Sequence, residues 1–175
     1  MASVVFLRGA NVGGHRTFQP ALLAKELAAL DVVNVGAAGT FVVRGKVGDA
    51  ALRAEMARRL PFDAEFIICP ARDLVKLARA EPFGANLSET NVRPYVSVLA
   101  KSVQTLPRLP IRRPDNDEWQ VKVLGVVGRF ALSLHRRLGR ALVYPNEVVE
   151  KRLGVSATTR NWNTISAICA ILTAQ

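Results

Sequence analysis

Four short runs of β-branched and aromatic residues, separated by two stretches of helical periodicity, constrain the first half of this chain more than any other feature. Ser3 to Leu7 is an apolar run ending at Arg8 and Gly9, as a buried strand feeding a glycine-rich turn does. Pro20 suits a first helical position, and Leu23, Leu27 and Leu30 then recur at i, i+4 and i+7 on one helix face. Val32, Val33 and Val35, then Phe41, Val42 and Val43 beyond Gly36 and Gly39, read as two strands. Asp49 is placed to cap a second helix in which Leu52, Met56 and Leu60 share a face. Arg53, Arg58 and Arg59 point away from that face, and Pro61 marks the stop. Phe66 to Cys69 is a fourth strand, and Leu74, Leu77 and Ala78 mark a short extra helix before Pro82. The order β-α-β-β-α-β is that of the split βαβ, or ferredoxin-like, arrangement, an antiparallel sheet with two helices packed on one face.

The second half repeats the mixture in a different order. Glu81 to Arg93 lacks periodicity and reads as a connection, Tyr95 to Leu99 alternates as a strand, and Leu106 to Pro114 is punctuated by proline. Trp119, Val121 and Val123 alternate with Gln120 and Lys122. Phe130, Leu132 and Leu134 alternate again beyond Gly125 and Gly128, which predicts a hairpin with Ser133, His135 and Arg137 turned outward. Asn146 is placed to cap a short helix with Glu147 and Glu150 early, Lys151 and Arg152 late and Gly154 just beyond. A last helix is expected from Thr158 or Thr159, with Ile165, Ile168, Cys169 and Leu172 on the face that closes a second core. The fold class is therefore α+β. Residues 1–85 are expected to form a ferredoxin-like βαββαβ subdomain plus an extra helix, and residues 90–175 a second α+β subdomain.

Charge is the next constraint. The chain carries a formal net charge of +10, of which +3 lies up to Leu87 and +7 beyond it. Eighteen of the 24 basic residues are arginine, suited to bidentate contacts with phosphate or carboxylate, although an Ala-, Val- and Arg-rich composition also follows from a GC-rich genome. Half of the residues are hydrophobic, which excludes a disordered chain. The longest uncharged apolar stretch, Thr164 to Ala174, is shorter than the ~20 residues a spanning helix needs, and no secretion signal precedes Arg8. A cytoplasmic protein with no membrane partner is expected, with Cys69 and Cys169 as reduced core residues.

Two polar constellations stand out. Arg8, Gly9, Ala10, Asn11, Val12, Gly13, Gly14, His15 and Arg16 lie between a strand and a helix, where backbone N–H groups can surround a phosphate. Their glycines match neither the dinucleotide fingerprint nor the nucleotide-triphosphate loop, and a tight turn accounts for them equally. Thr158, Thr159, Arg160, Asn161, Trp162, Asn163 and Thr164 gather hydroxyls, amides and a guanidinium at the expected start of the last helix, where free N–H groups favour anions. Trp162 shares the face of Ile165 and Cys169 and reads as an anchor rather than a base-stacking platform; Thr159 as a plain cap is the simpler alternative. Arg136, Arg137 and Arg140 read as a solvated rim. Two separated histidines and an acidic turn at Asp115 to Glu118 lack metal-ligand spacing, so no metal and no cofactor is expected. No nucleophile stands beside a base, and whether the chain is an enzyme stays open.

Leu7 to Gly14, together with Glu150-Lys151-Arg152-Leu153-Gly154-Val155 and Ala157 to Thr164, resembles the two signatures of the domain-of-unknown-function 1697 family. Arg72 and Pro82-Phe83 add weaker support. The resemblance spans nearly the whole chain and implies an uncharacterised bacterial cytosolic protein of two small α-β plait (ferredoxin-like) subdomains, with antiparallel sheets and helices on one face. It implies no activity. Where the family usually has a Ser-Gly-Asn turn before its third strand, this chain has Ala38-Gly39-Thr40, which alters any ligand contact made there.

The reading of the residues that follows is a binding protein for an anionic small molecule, a nucleotide or phosphorylated metabolite. Its expected surface combines Arg8, Asn11, Gly13, Gly14, Arg160 and Asn161, which requires the two loops to meet. The alternatives are a nucleic-acid binder using an open sheet face, with Phe41 and Phe66 as its few aromatics, and a protein-interaction or dimerisation module whose polar motifs are caps and turns. Oligomeric state is left open.

Overall fold

A computed structural model describes residues 1–10, 14–139 and 142–174, and among these described residues the backbone forms nine strands and five α-helices. Two compact units are present, Met1–Arg79 with Ser166–Gln175, and Ala80–Ile165.

The first unit follows the expected order: β1 (Ser3–Arg8), α1 (Pro20–Glu26), β2 (Val32–Asn34), β3 (Thr40–Val43), α2 (Asp49–Ala57), β4 (Glu65–Pro70) and α3 (Ala71–Arg79). Its antiparallel sheet runs β2-β3-β1-β4, so β1 lies between strands distant in sequence, with Val5 opposite both Phe41 and Ile68. This interleaving is the split βαβ order. Val5, Leu7, Phe41, Val43, Phe66 and Ile68 point to one side, where they pack with Leu23 and Leu27 and with Leu52 and Met56 of α2. Burying each such side chain contributes ~1.5–3 kcal/mol, which is why helical and strand periods agree on this core.

Four details differ from the sequence expectation. The sheet is covered on both sides, because Val4, Phe6 and Val42 on the opposite face are fully buried and Ile67 and Cys69 nearly so. Asp49 is the first helical residue rather than the cap: Gly48 occupies the cap position, and the Asp49 carboxylate sits beside the free N–H groups of the first turn. Arg53 does not simply point away, since its Nη1 donates to the Phe66 carbonyl at 2.6 Å. Leu30 falls in a 3-10 turn (Ala28–Leu30) after α1 ends. At Gly39, with φ +73°, an added Cβ would lie 2.8 Å from the Leu7 Cβ, and the Gly39 carbonyl accepts from the Leu7 N–H at 2.8 Å. The Ala38-Gly39-Thr40 turn is thus shaped by backbone approach to β1.

The second unit contains β5 (Val92–Leu99), β6 (Ile111–Arg113), β7 (Val121–Val127), β8 (Phe130–Arg136), α4 (Pro145–Leu153) and β9 (Ala157–Asn161), followed by the start of α5 (Trp162–Thr173). Its antiparallel sheet runs β6-β7-β8-β5-β9. With the short β6 set aside, β7-β8-β5-β9 repeats the interleaving of the first sheet, its crossover helix between the first two strands replaced by the proline-punctuated stretch. One helix, α4, lies between the last two strands. Val148, Val149 and Leu153 of α4 pack on Leu99, Val121, Val123, Ala131 and Ala157.

The largest departure is β9. Residues 157–161 form an edge strand on β5, with Thr158 opposite Val98 and Thr159 opposite Ser97, and the last helix starts only at Trp162. Two consecutive β-branched threonines suit an extended backbone better than a helical one. Asn146 likewise sits inside α4, after the Tyr144 cap and Pro145. Residues 166–174 group with the first unit, so the last helix does not simply close the second core. Cys69 is buried and Cys169 half-buried; burial pushes the Cys169 thiol up, and it contacts the Leu74 carbonyl at 3.7 Å. Among the described residues no helix is long and apolar enough to cross a membrane.

Candidate functional site

The polar residues of the second motif are committed to holding the fold. Glu150 Oε1 accepts from the Ala157 N–H at 2.8 Å, tying α4 to β9. The Thr159 hydroxyl donates to Asn146 Oδ1 at 2.8 Å, so the Ser97 hydroxyl, 2.6 Å away, is the donor to Thr159. Asn161 Oδ1 accepts from the Thr164 N–H at 2.9 Å and the Thr164 hydroxyl at 3.1 Å, which makes Asn161, not Thr159, the cap of α5. Arg160 is buried, 8% exposed, and its Nη1 donates to the Thr158 hydroxyl at 2.8 Å and the Thr159 carbonyl at 3.0 Å. Burial pushes its guanidinium down to about 10. Trp162 is an anchor as expected, edge-on to Phe83 with centroids 5.1 Å apart.

In the first motif, Arg8 at the end of β1 donates from Nη1 to Glu65 Oε2 at 3.1 Å, a half-exposed pair. Gly14 adopts φ +76°, as a tight turn requires. Asn11 and Gly13 lie outside the described residues. Arg8 and Gly14 belong to the first unit, Arg160 and Asn161 to the second.

A different set of residues converges in the second unit. A cleft of ≈ 650 Å³ is lined by Arg93, Tyr95, His135, Arg137 and Tyr144, and none of its lining residues is acidic. The register explains the convergence: Arg93 on β5 stands directly opposite His135 on β8, and Arg137 follows two residues later. Arg93 and Arg137 are exposed and, among the described residues, have no carboxylate or hydrogen-bond partner. Arg136, also on the lining, is occupied. It lies over the Trp119 ring at 4.2 Å and donates to the Trp119 carbonyl at 2.9 Å and to that of Asp117. His135, half-buried rather than turned outward, meets the Tyr95 ring edge-on at 5.8 Å, and its buried Nε2 has no partner among the described residues. Burial first, then the charges of Arg93 and Arg137, hold its imidazole below the ordinary 6.5, against a backbone hydrogen bond to Val143. The sequence reading placed Arg137 on a solvated rim and missed Arg93, because the pairing of β5 with β8 joins segments some forty residues apart.

A second recess of ≈ 470 Å³ lies along β6, lined by Arg108, Arg112, Arg113 and Arg152. Its positive charge is reduced by Asp115 in the lining and by Asp117, 3.9 Å from Arg112. Among the described residues no group of three or more His, Cys, Asp or Glu could hold a metal ion.

The solved structure of a conserved bacterial protein from Streptococcus pneumoniae is similar over 98% of this chain and 98% of its own, with a TM-score of 0.57 and 18% identity, a likeness of fold. No curated protein matches. The sequence profile of one family matches residues 1–125, which include the first motif and end before the second. With most of its length matched, the chain belongs to the family described as "Protein of unknown function (DUF1697)".

Proposed function

We propose that the chain binds an anionic small molecule, a nucleotide or phosphorylated metabolite, in the second-unit cleft between Arg93 and Arg137. The observation that carries the reading is two exposed arginines facing one cleft without a carboxylate among its lining residues. Guanidiniums in that setting favour phosphate or carboxylate through charge-assisted, often bidentate bonds. The ligand class is the one expected from the sequence, while the surface moves. Arg8 is offset by Glu65, Arg160 faces its own strand, and Asn161 caps a helix.

The test is calorimetric titration with ribose 5-phosphate and pyrophosphate. Arg93→Ala and Arg137→Ala are each expected to weaken binding tenfold or more, since a hydrogen bond to a charged group contributes ~1.5–3 kcal/mol; Arg8→Ala is expected to leave it unchanged. Binding lost in Arg8→Ala and kept in the cleft variants would return the site to the glycine-rich loop. The nucleic-acid alternative draws on the arginine-lined recess along β6, and a log–log salt slope of about −0.7 to −0.9 per phosphate contacted would favour it.

A further inference from the structure

We infer that the anion held by the Arg93 and Arg137 cleft is a nucleotide, its phosphate on the two guanidiniums and its base on the ring of Tyr144. The inference rests on the anion-site reading above and adds the chemistry of the rest of the ligand.

Three observations carry it. The first is apolar exposure. Leu138, Leu142 and Tyr144 are 38%, 39% and 51% exposed, and they line the same cleft as the two arginines. Isolated apolar side chains at a surface need no explanation, but a cluster that borders a cationic floor marks a site for a ligand with one charged and one apolar end. The second is size. At ≈ 650 Å³ the cleft lies within the ~300–1,000 Å³ of small-molecule sites. An inorganic phosphate, a few water molecules in volume, leaves most of it empty.

The third is the polar content of the lining. Thr90 and Asn91 line the same cleft and carry a hydroxyl and an amide. An alkyl chain laid on Tyr144 and Leu142 would desolvate these groups without pairing them, at a cost. A heterocyclic base has an apolar face for the tyrosine ring and a hydrogen-bonding edge for an amide or hydroxyl. Every base has such a face, which makes stacking on an aromatic ring tolerant of base identity.

The experiment is calorimetry on the intact chain with the four ribonucleoside monophosphates, ribose 5-phosphate and adenosine. The tightest nucleotide is expected to bind at least tenfold more tightly than ribose 5-phosphate. Tyr144→Ala should abolish that advantage without weakening ribose 5-phosphate, and Tyr144→Phe should retain it. Arg137→Ala should weaken nucleotide and ribose 5-phosphate by the same factor. Equal affinity for nucleotides and ribose 5-phosphate, or a Tyr144→Ala variant that keeps the full preference, would overturn the inference and leave the anion site standing. Failure of every phosphate compound to bind would overturn both. A 5′-phosphorylated trinucleotide identifies the source of the nucleotide: binding as tight as the monophosphate or tighter assigns it to a strand end, weaker binding to the free pool.

Discussion

At the scale of single residues, His135 links the cleft to pH. Its imidazole is held below 6.5 in the folded chain, mainly by burial and then by Arg93 and Arg137, while the unfolded chain leaves it near its ordinary value. A depressed folded value means that the unfolded state binds the proton first. The stability due to His135 is therefore complete above about 6.5 and is lost as pH falls through the lower folded value. Urea unfolding at a series of pH values should show this loss, and His135→Gln should remove it; a variant with the wild-type profile would place the acid sensitivity elsewhere. An anion on Arg93 and Arg137 offsets their repulsion, so binding should raise the imidazole value and take up protons, which an NMR titration with and without pyrophosphate measures.

At the scale of elements, the hydroxyl chain from Ser97 through Thr159 to Asn146 fastens β5, β9 and α4 together. Thr159→Val keeps the shape and β propensity of the side chain but leaves the buried Ser97 hydroxyl without its acceptor. A loss of ~1–3 kcal/mol is expected, read as a lower urea midpoint at unchanged slope. A midpoint within error of wild type would mean that the chain of hydroxyls adds nothing. The same segment marks the limit of what was legible in the sequence. Elements set by period and punctuation were readable: the alternation of Phe130, Leu132 and Leu134, and the helix after Pro20. Thr158 to Asn161 was not, because short polar side chains serve as caps, as strand and as ligand contacts, and only pairing with β5 decides among them. The cleft was invisible for a related reason. Nothing local to Arg93 signals that His135 will stand opposite it.

At the scale of the whole molecule, one strand order recurs in the two sheets, and both carry fully buried residues on each face. In the second unit Val96 and Val98 on one face, and Val121, Val123 and Ala131 on the other, are all fully buried. Phe41 and Phe66, the aromatics expected for an RNA-recognition arrangement, lie in the first core among Val5, Leu52 and Met56. The first unit is also discontinuous, drawing residues 166–174 from beyond the second. A chain stopped after Ile165 should therefore lose amide protection in the first sheet while the cleft still binds pyrophosphate; full protection there would show the terminal segment to be dispensable. During synthesis the consequence is one of timing. Residues 80–165 emerge before the last contributors to the first unit, and at ~5–20 residues per second that interval is roughly 4–17 s. For that time the half of the protein made first is the half still waiting to be finished.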